Sequence, residues 1–310
     1  MTTSAPRAPA PPLPHLATRL SLLSASALLL LALIWGLSIP VTKLGLVSMP
    51  PMTLTALRFA IAVPFLFLIA LGRHRMPLRA APKVAALGLL GIGIGQVSQT
   101  FGIAGTSASV GTIISAAIPV FIVLFAALRL GQAVTRVQQL GLAAAFGGIA
   151  LVAFGSGEEA ADLAQTTPTG ALLVLLSALT IAFYYVWCVE LTARHGTVTV
   201  AAWSTLAGFI ALLPFTAWEL GHTSFRIEPE AVAAAIYLGL LVTVAGLVLW
   251  LWLLRTVPAR VAASVQFLQP IFGVAVSAAM FGDRMTLHFF VGVALVLAGV
   301  GLASATRNGR

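Results

Sequence analysis

The 310-residue chain is 60% hydrophobic and only 8% charged, with a net charge of +9 and a mean hydropathy of +1.05. A water-soluble domain carries roughly 25% charged residues to solvate its outside, so a soluble globule of this size is excluded and lipid must be the solvent. The positive charge is a topology signal and not a nucleic-acid footprint, because no basic stripe with interleaved aromatics is present.

Residues 1–14 hold five prolines among Ala, Ser and Thr. Such a composition cannot bury a core, so residues 1–18 are expected to be a disordered cytoplasmic tail. The apolar run from Leu20 past Trp35 to Val47 is too long for the 7–15-residue core of a signal peptide and lacks a small-x-small cleavage site, so it reads as a membrane span. A hydrocarbon core of roughly 30 Å needs about 20 helical residues. On that ruler the chain divides into ten spans at about 22–46, 51–71, 83–103, 109–128, 137–154, 170–190, 200–219, 231–254, 261–281 and 287–304. These continuous runs lack the alternation of a barrel, and unpaired backbone in lipid is too costly for anything but helices.

With the N-terminus in the cytoplasm, Lys and Arg outside the spans divide 13 to 2 in favour of that side, and only Arg226 and Arg284 fall outside. Glu158, Glu159, Asp162, Glu228, Glu230 and Asp283 all fall on the outer side. The charge bias therefore puts both termini in the cytoplasm of a multi-pass protein of the cytoplasmic (inner) membrane.

Shifting the chain by 151 residues against itself superposes Pro119 on Pro270, Phe121 on Phe272, the turn from Gly131 on that from Gly282, Gly141 on Gly292 and Gly148 on Gly299. Five spans separate the copies, and five is odd, so the second copy enters the membrane in the opposite sense. The expected fold is all-α and integral to the membrane: ten transmembrane helices as two inverted five-helix repeats, over 19–155 and 170–304, with a short cytoplasmic tail at 305–310. Inverted repeats of this kind place substrate near the bilayer midplane, at the repeat interface.

The chain resembles the drug/metabolite transporter superfamily, specifically ten-helix proteins made of two EamA repeats. The resemblance rests on Ala32-Leu33-Ile34-Trp35-Gly36 followed by Lys43, on Arg58-Phe59, on the Pro119 and Pro270 helices, and on the glycine turns leading into Gly141 and Gly148 and into Gly292 and Gly299. In the family's turn an acidic residue follows the glycine; Asp283 keeps that pattern and Gln132 departs from it. The overall look is nearest to amino-acid exporters, including those for aromatic amino acids.

Polar side chains within spans are costly unless they face a cavity or a partner helix. Gln96 and Gln99 share a face of the third span, and Gln266 and Gln269 repeat that spacing in the ninth. Gln96 and Gln269 lie near the centre of their spans, with Trp35 and Tyr184 at similar depth. Neutral amides and aromatic rings at one depth suit a zwitterionic metabolite, and these four are the principal substrate-site candidates. The competing reading is interhelical hydrogen bonding, which is the simpler one for Gln99 and Gln266 unless they line a gate.

Lys43 and Arg58 are the charges within spans, both toward the outer side, Arg58 about 10 Å deep at 1.5 Å per residue. Each either supplies a positive field for a carboxylate or ties helix-end carbonyls and neighbouring polar groups, the structural tie being favoured. Pro119 and Pro270 weaken their helices at corresponding places and are the hinge candidates.

Cys188 reads as a buried core residue, and the five histidines form no cluster, so no metal or cofactor is expected. A membrane enzyme would need a catalytic constellation, and none stands in the sequence. No Asp, Glu or His lies deep in a span, which argues against proton coupling. The expected function is export of small metabolites, above all zwitterionic amino acids, by alternating access. The alternatives are a channel or a proton-coupled exporter of other small metabolites or drugs. The partners expected are the substrate and membrane lipid, with no nucleic acid, around a monomer.

Overall fold

The computed structural model describes residues 14–71, 76–131, 134–154, 166–257, 265–283 and 285–303. Among the described residues, eight helices are long and apolar enough to cross a membrane: α1 (Leu22–Gly45), α2 (Pro51–Ala70), α3 (Ala81–Ala104), α4 (Ala108–Arg129), α5 (Arg136–Ala153), α6 (Pro168–Trp187), α7 (Thr197–His222) and α8 (Pro229–Thr256). Two shorter apolar helices, α9 (Val265–Phe281) and α10 (Leu287–Ala303), complete the ten. At 17 residues each, they reach the lower limit of roughly 17 residues for a span. The helix that contains α1 begins at Pro14, inside the expected tail; proline suits a first helical turn because its missing N–H is unused there. Residues 1–13 and 304–310, and the turn residues Gln132 and Arg284, lie outside the described part of the chain.

The two halves pack as an inverted pair. α5 lies along α10, α2 along α7, and the first part of α4 against α9, each a helix meeting its own counterpart. The other extensive contacts between the halves come in exchanged pairs: α1 on α8 and α6 on α3, α1 on α9 and α6 on α4, α2 on α8 and α7 on α3. The α5–α10 seam makes the relation visible at single residues. Gly141 abuts Gly299 and Gly148 abuts Gly292, so the same two glycines of each repeat face each other in antiparallel sense. No side chain intervenes, and the backbones touch.

The repeat register holds for irregularities as well. α1 is interrupted at Leu37, between helical segments Pro14–Gly36 and Ser38–Gly45, and α6 is followed after Cys188 by a further segment, Val189–His195. Pro40 explains the first break, because it removes the N–H that would bond the Gly36 carbonyl. Each third helix carries a π-helical stretch, Gly88–Ile94 in α3 and Tyr237–Ala245 in α8. The turns after α4 and α9 place Gly131 and Gly282 at φ 63° and 67°, a left-handed conformation open to glycine without strain.

The expected hinge prolines behave differently from each other. α4 is interrupted at Ala116–Ala117, just before Pro119, whose missing N–H deprives the Ser115 carbonyl of its α-helical donor. α9 runs as one helix through Pro270.

The two ends of the bundle are not equivalent. At the end bearing Lys43, the segment Ser38–Gly45 is enclosed by α3, α4, α8 and α9. Its counterpart at the other end, Val189–His195, packs mainly on its own neighbours α6 and α7, with Leu191 joining Val84 and Leu87 of α3 in a small core and Glu190 paired with Arg129 of α4. There the second part of α4 (Ile118–Leu130) lies on α6 and not on α9. Among the described residues the bundle is thus drawn together at the Lys43 end and more loosely packed at the Arg129 end.

Candidate functional site

Where helices of the two repeats cross within the membrane, Arg58 of α2 reaches between α3 and α8. Its Nε donates to Thr243 Oγ1 at 3.1 Å, and its Nη1 donates to Gln96 Oε1 at 2.6 Å. Thr243 in turn donates to the Leu238 carbonyl at 2.8 Å, five residues back, a reach provided by the π-helical winding of that stretch. The side chain is partly buried, and among the described residues no carboxylate pairs with it: Arg129–Glu190 is the ion pair they form. Tyr185 of α6 lies within electrostatic reach of the guanidinium and is 50% exposed.

Glycine makes these crossings possible. A Cβ on Gly239 would stand 2.9 Å from the Arg58 carbonyl oxygen, and one on Gly88 would stand 2.5 Å from that of Ser204. Gly88 and Gly239 are equivalent in the repeat, so Arg58 and Ser204 occupy matching places on α2 and α7. The second helices are registered at 146 residues instead of 151, because the connection before α7 is shorter.

Trp35 stands beside this cluster. Its Nε1 donates to the Val242 carbonyl at 3.2 Å, and its ring lies 5.8 Å from that of Trp250. The π stretch frees that acceptor: the Gly246 N–H bonds Leu241 O, so Val242 O is not taken by the α-helical donor. Replacing Trp35 with phenylalanine should remove one neutral hydrogen bond, worth about 0.5–1.5 kcal/mol, and lower the unfolding temperature in detergent by a few degrees; an unchanged midpoint would show the bond to be idle. Tyr237 Oη ties the same helices by donating to the Ile34 carbonyl at 2.9 Å.

The remaining sequence candidates are dispersed. Tyr184, 6% exposed, is packed into a core with Val84, Leu87, Cys188, Leu191 and Val200, and abuts Gly91. Its neighbour Tyr185 lies outside that core, half exposed and within electrostatic reach of Arg58. Gln99, Gln266 and Gln269 are partly buried, and their amides make no hydrogen bond among the described residues. The Gln269 backbone carbonyl packs against Gly36, where α9 crosses α1. Thr243 and Tyr185 are not among the site candidates chosen from the sequence; the matched glycines Gly88 and Gly239, and Gly95 and Gly246, are the available signal of a crossing there.

Lys43 takes the structural role. Its Nζ donates to the carbonyls of Ile103, Ala104 and Thr106 at 3.1, 3.3 and 2.7 Å, capping the end of α3, where the helix dipole is negative. Two acids do the converse at the same end of the bundle. Glu219 of α7 accepts from the N–H groups of Met52 and Thr53 and from Thr53 Oγ1, at the start of α2. Asp283 accepts from the Ser109 N–H at 2.9 Å, at the start of α4. At the opposite end Arg129 pairs with Glu190 at 2.5 Å and lies over the Trp187 ring, beside the stacked Phe183. An apolar groove of about 350 Å³, lined by residues such as Leu78, Pro82, Trp203 and Ile210, lies between the start of α3 and α7. Its lining presents nothing to orient a polar solute, and its chemistry suits lipid.

The model of the EamA-like transporter family matches the chain twice, over residues 22–154 and 168–305. The chain belongs to this family. It is 30% identical over 286 residues to a protein of Streptantibioticus cattleyicolor named "Probable terminal-alkyne amino-acid exporter", covering 92% of this chain and 94% of that one. It is 26% identical over 290 residues to a "Probable amino-acid metabolite efflux pump" of Escherichia coli K12, covering 88% and 91% respectively. A solved crystal structure shares the fold at a TM-score of 0.60 and 20% identity, over 93% of this chain and 96% of that one. The EamA-repeat architecture inferred from Trp35-Gly36, Arg58-Phe59 and the paired glycine turns is therefore the chain's own, and it is a multi-pass membrane transporter.

Proposed function

We propose that this EamA transporter exports amino acids by alternating access, with the site at the Arg58–Gln96–Thr243 cluster and no proton coupling. The observation that carries this reading is the cluster itself: it is the polar junction at which side chains of both repeats meet inside the membrane. A carrier of inverted repeats exposes such a junction to one side and then the other. Gln96 supplies a free amide beside the cation, and the rings of Tyr185 and Trp35 give apolar cover nearby. The names of the relatives point to the same substrate class. The charge bias of the loops supports both termini in the cytoplasm of an inner membrane; on that orientation the Lys43 end is the outer one and the Arg129 end cytoplasmic.

The test is counterflow in proteoliposomes with a panel of labelled amino acids, with and without an imposed proton gradient. Saturable exchange that is stimulated from the trans side and indifferent to the gradient is expected. Flux no faster than in empty liposomes sinks the substrate assignment, flux without trans-stimulation makes the protein a channel, and flux that follows the gradient makes it proton-coupled. Gln96→Ala should cut exchange by roughly tenfold, since it removes both the amide and the acceptor that aims Arg58. Gln269→Ala should also impair it. Full exchange in both variants, at normal folded yield, would move the site elsewhere.

A further inference from the structure

We infer that Arg58 is the anion-binding group of this transporter, and that a transported molecule must carry a carboxylate to occupy the site. The inference rests on the amino-acid reading for its choice of probes, but the argument comes from the guanidinium itself.

A guanidinium has five N–H donors. Arg58 uses one on Thr243 Oγ1 and one on Gln96 Oε1, and both acceptors are neutral. Three N–H groups remain, one on Nη1 and two on Nη2, along the edge that a carboxylate can grip with both oxygens. The charge stands in the membrane interior without an acidic partner among the described residues. An uncompensated buried cation is strongly unfavourable, so a ligand that brings the opposite charge gains what the protein leaves unsatisfied.

The repeat removes the competing explanation, that folding needs an arginine here. The α3–α7 crossing at Gly88 is the counterpart of the α8–α2 crossing at Gly239. The first is made against Ser204 and the second against Arg58, each through the backbone carbonyl. One fold thus makes the same helix crossing twice, once without a cation. The guanidinium also breaks the pseudo-symmetry at a place where chemistry, and not packing, distinguishes the halves. Its two neutral partners come from α3 and α8, so a carboxylate on its free edge bears on both repeats and is sensed by both.

Arg58→Ser copies the residue found at the equivalent crossing and so should fold; its ligand-free unfolding temperature checks this. The full-length protein in detergent is titrated with L-phenylalanine and L-leucine, with their amides (ammonium without carboxylate), with acetate, and with inorganic phosphate. Thermal stabilisation by the amino acids, weaker by roughly tenfold or more in concentration for the amides, and lost in Arg58→Ser, is the expected result. Arg58→Lys should retain part of the preference, because a point charge replaces a fork. Equal responses to acid and amide, no response to any carboxylate, or an undiminished acid preference in folded Arg58→Ser would each overturn the inference. Stabilisation by phosphate alone, with no effect of any carboxylate, would also overturn it. The two readings fail separately. Acetate binding that requires Arg58, without amino-acid counterflow, would leave the anion site standing and remove the amino-acid assignment; amino-acid counterflow untouched by Arg58→Ser would do the reverse.

Discussion

Gly148→Ala should lower the yield and the unfolding temperature of the folded transporter sharply, while Gly147→Ala, one residue away, should leave both unchanged. A Cβ on Gly148 would sit 2.6 Å from the Gly292 carbonyl oxygen and 2.8 Å from the Val296 nitrogen, whereas one on Gly147 would meet nothing within 4 Å. The atoms in the way are backbone, which cannot turn aside as a side chain can, so α5 and α10 must separate along their length. Overpacking of this kind costs typically 1–3 kcal/mol, and separation also forfeits the dispersion contacts of a seam that has no hydrophobic effect to hold it in lipid. A leucine at 148 should abolish the folded species. The same holds for Gly299, whose Cβ would collide with the Ala145 nitrogen and the Gly141 carbonyl oxygen. Fluorescence-detected size exclusion and thermal unfolding of the two alanine variants decide the matter: equal stability of Gly147→Ala and Gly148→Ala would mean that the seam does not bind the repeats. Substrate preference in whatever Gly148→Ala protein survives should be unaltered, because the seam lies on other helices than the Arg58 cluster.

Those same glycines show what a sequence can and cannot say about such a fold. Gly141, Gly148, Gly292 and Gly299 repeat at a fixed offset, and their recurrence was enough to reveal the duplication; an odd number of spans then dictated its inversion. Hydropathy gave the ten helices nearly to their ends, because lipid makes continuous apolar runs an almost sufficient condition for a span. The irregularities were harder. The break before Pro119 follows from a missing N–H, but α9 absorbs Pro270 without a break, and no residue type announces a π stretch.

The site was legible by depth and illegible by direction. Gln96 stood out because an amide in hydrocarbon is costly wherever it points. Arg58 stood out equally, yet its position along α2 left open whether it reached headgroups or the interior. One residue on a helix turns the side chain by about 100°, and that rotation separates Tyr184, in the packed core, from Tyr185, half exposed and within electrostatic reach of the guanidinium. Thr243 could not be singled out, because a threonine in a span usually bonds its own helix, and this one does that too.

Lys43→Met should open the end of the bundle that is drawn together in this structure, under the alternating access proposed above. The Lys43 ammonium holds the last carbonyls of α3 at Ile103, Ala104 and Thr106, and so ties to α3 the segment Ser38–Gly45, which itself lies against α8 and α9 of the other repeat. The repeat register carries Lys43 onto Arg194 and those carbonyls onto Leu254, Arg255 and Val257, at the end of α8. Arg194 is exposed at the Arg129 end and makes no hydrogen bond or ion pair among the described residues. The two cations therefore read as one latch and its inverted copy, the first closed and the second released. A hydrogen bond to a charged group contributes about 1.5–3 kcal/mol, so losing the engaged latch shifts the two-state balance by roughly tenfold to a hundredfold. Asp283 and Glu219 sit at this end only, clasping the starts of α4 and α2, and they deepen the bias toward the closed form. A cysteine placed at Ser109, buried there at 2% exposure, reports the change when Cys188 is replaced by serine. Its alkylation by a membrane-impermeant maleimide should accelerate by that factor in Lys43→Met. In Arg194→Met it should slow and exchange should fall, because the state open at the Lys43 end loses the latch that closes the other end; labelling unchanged by Arg194→Met would mean that this second latch is never engaged. Equal labelling of Ser109→Cys with and without Lys43 would reduce the ammonium to a local helix cap and return the asymmetry of the two ends to the acids alone.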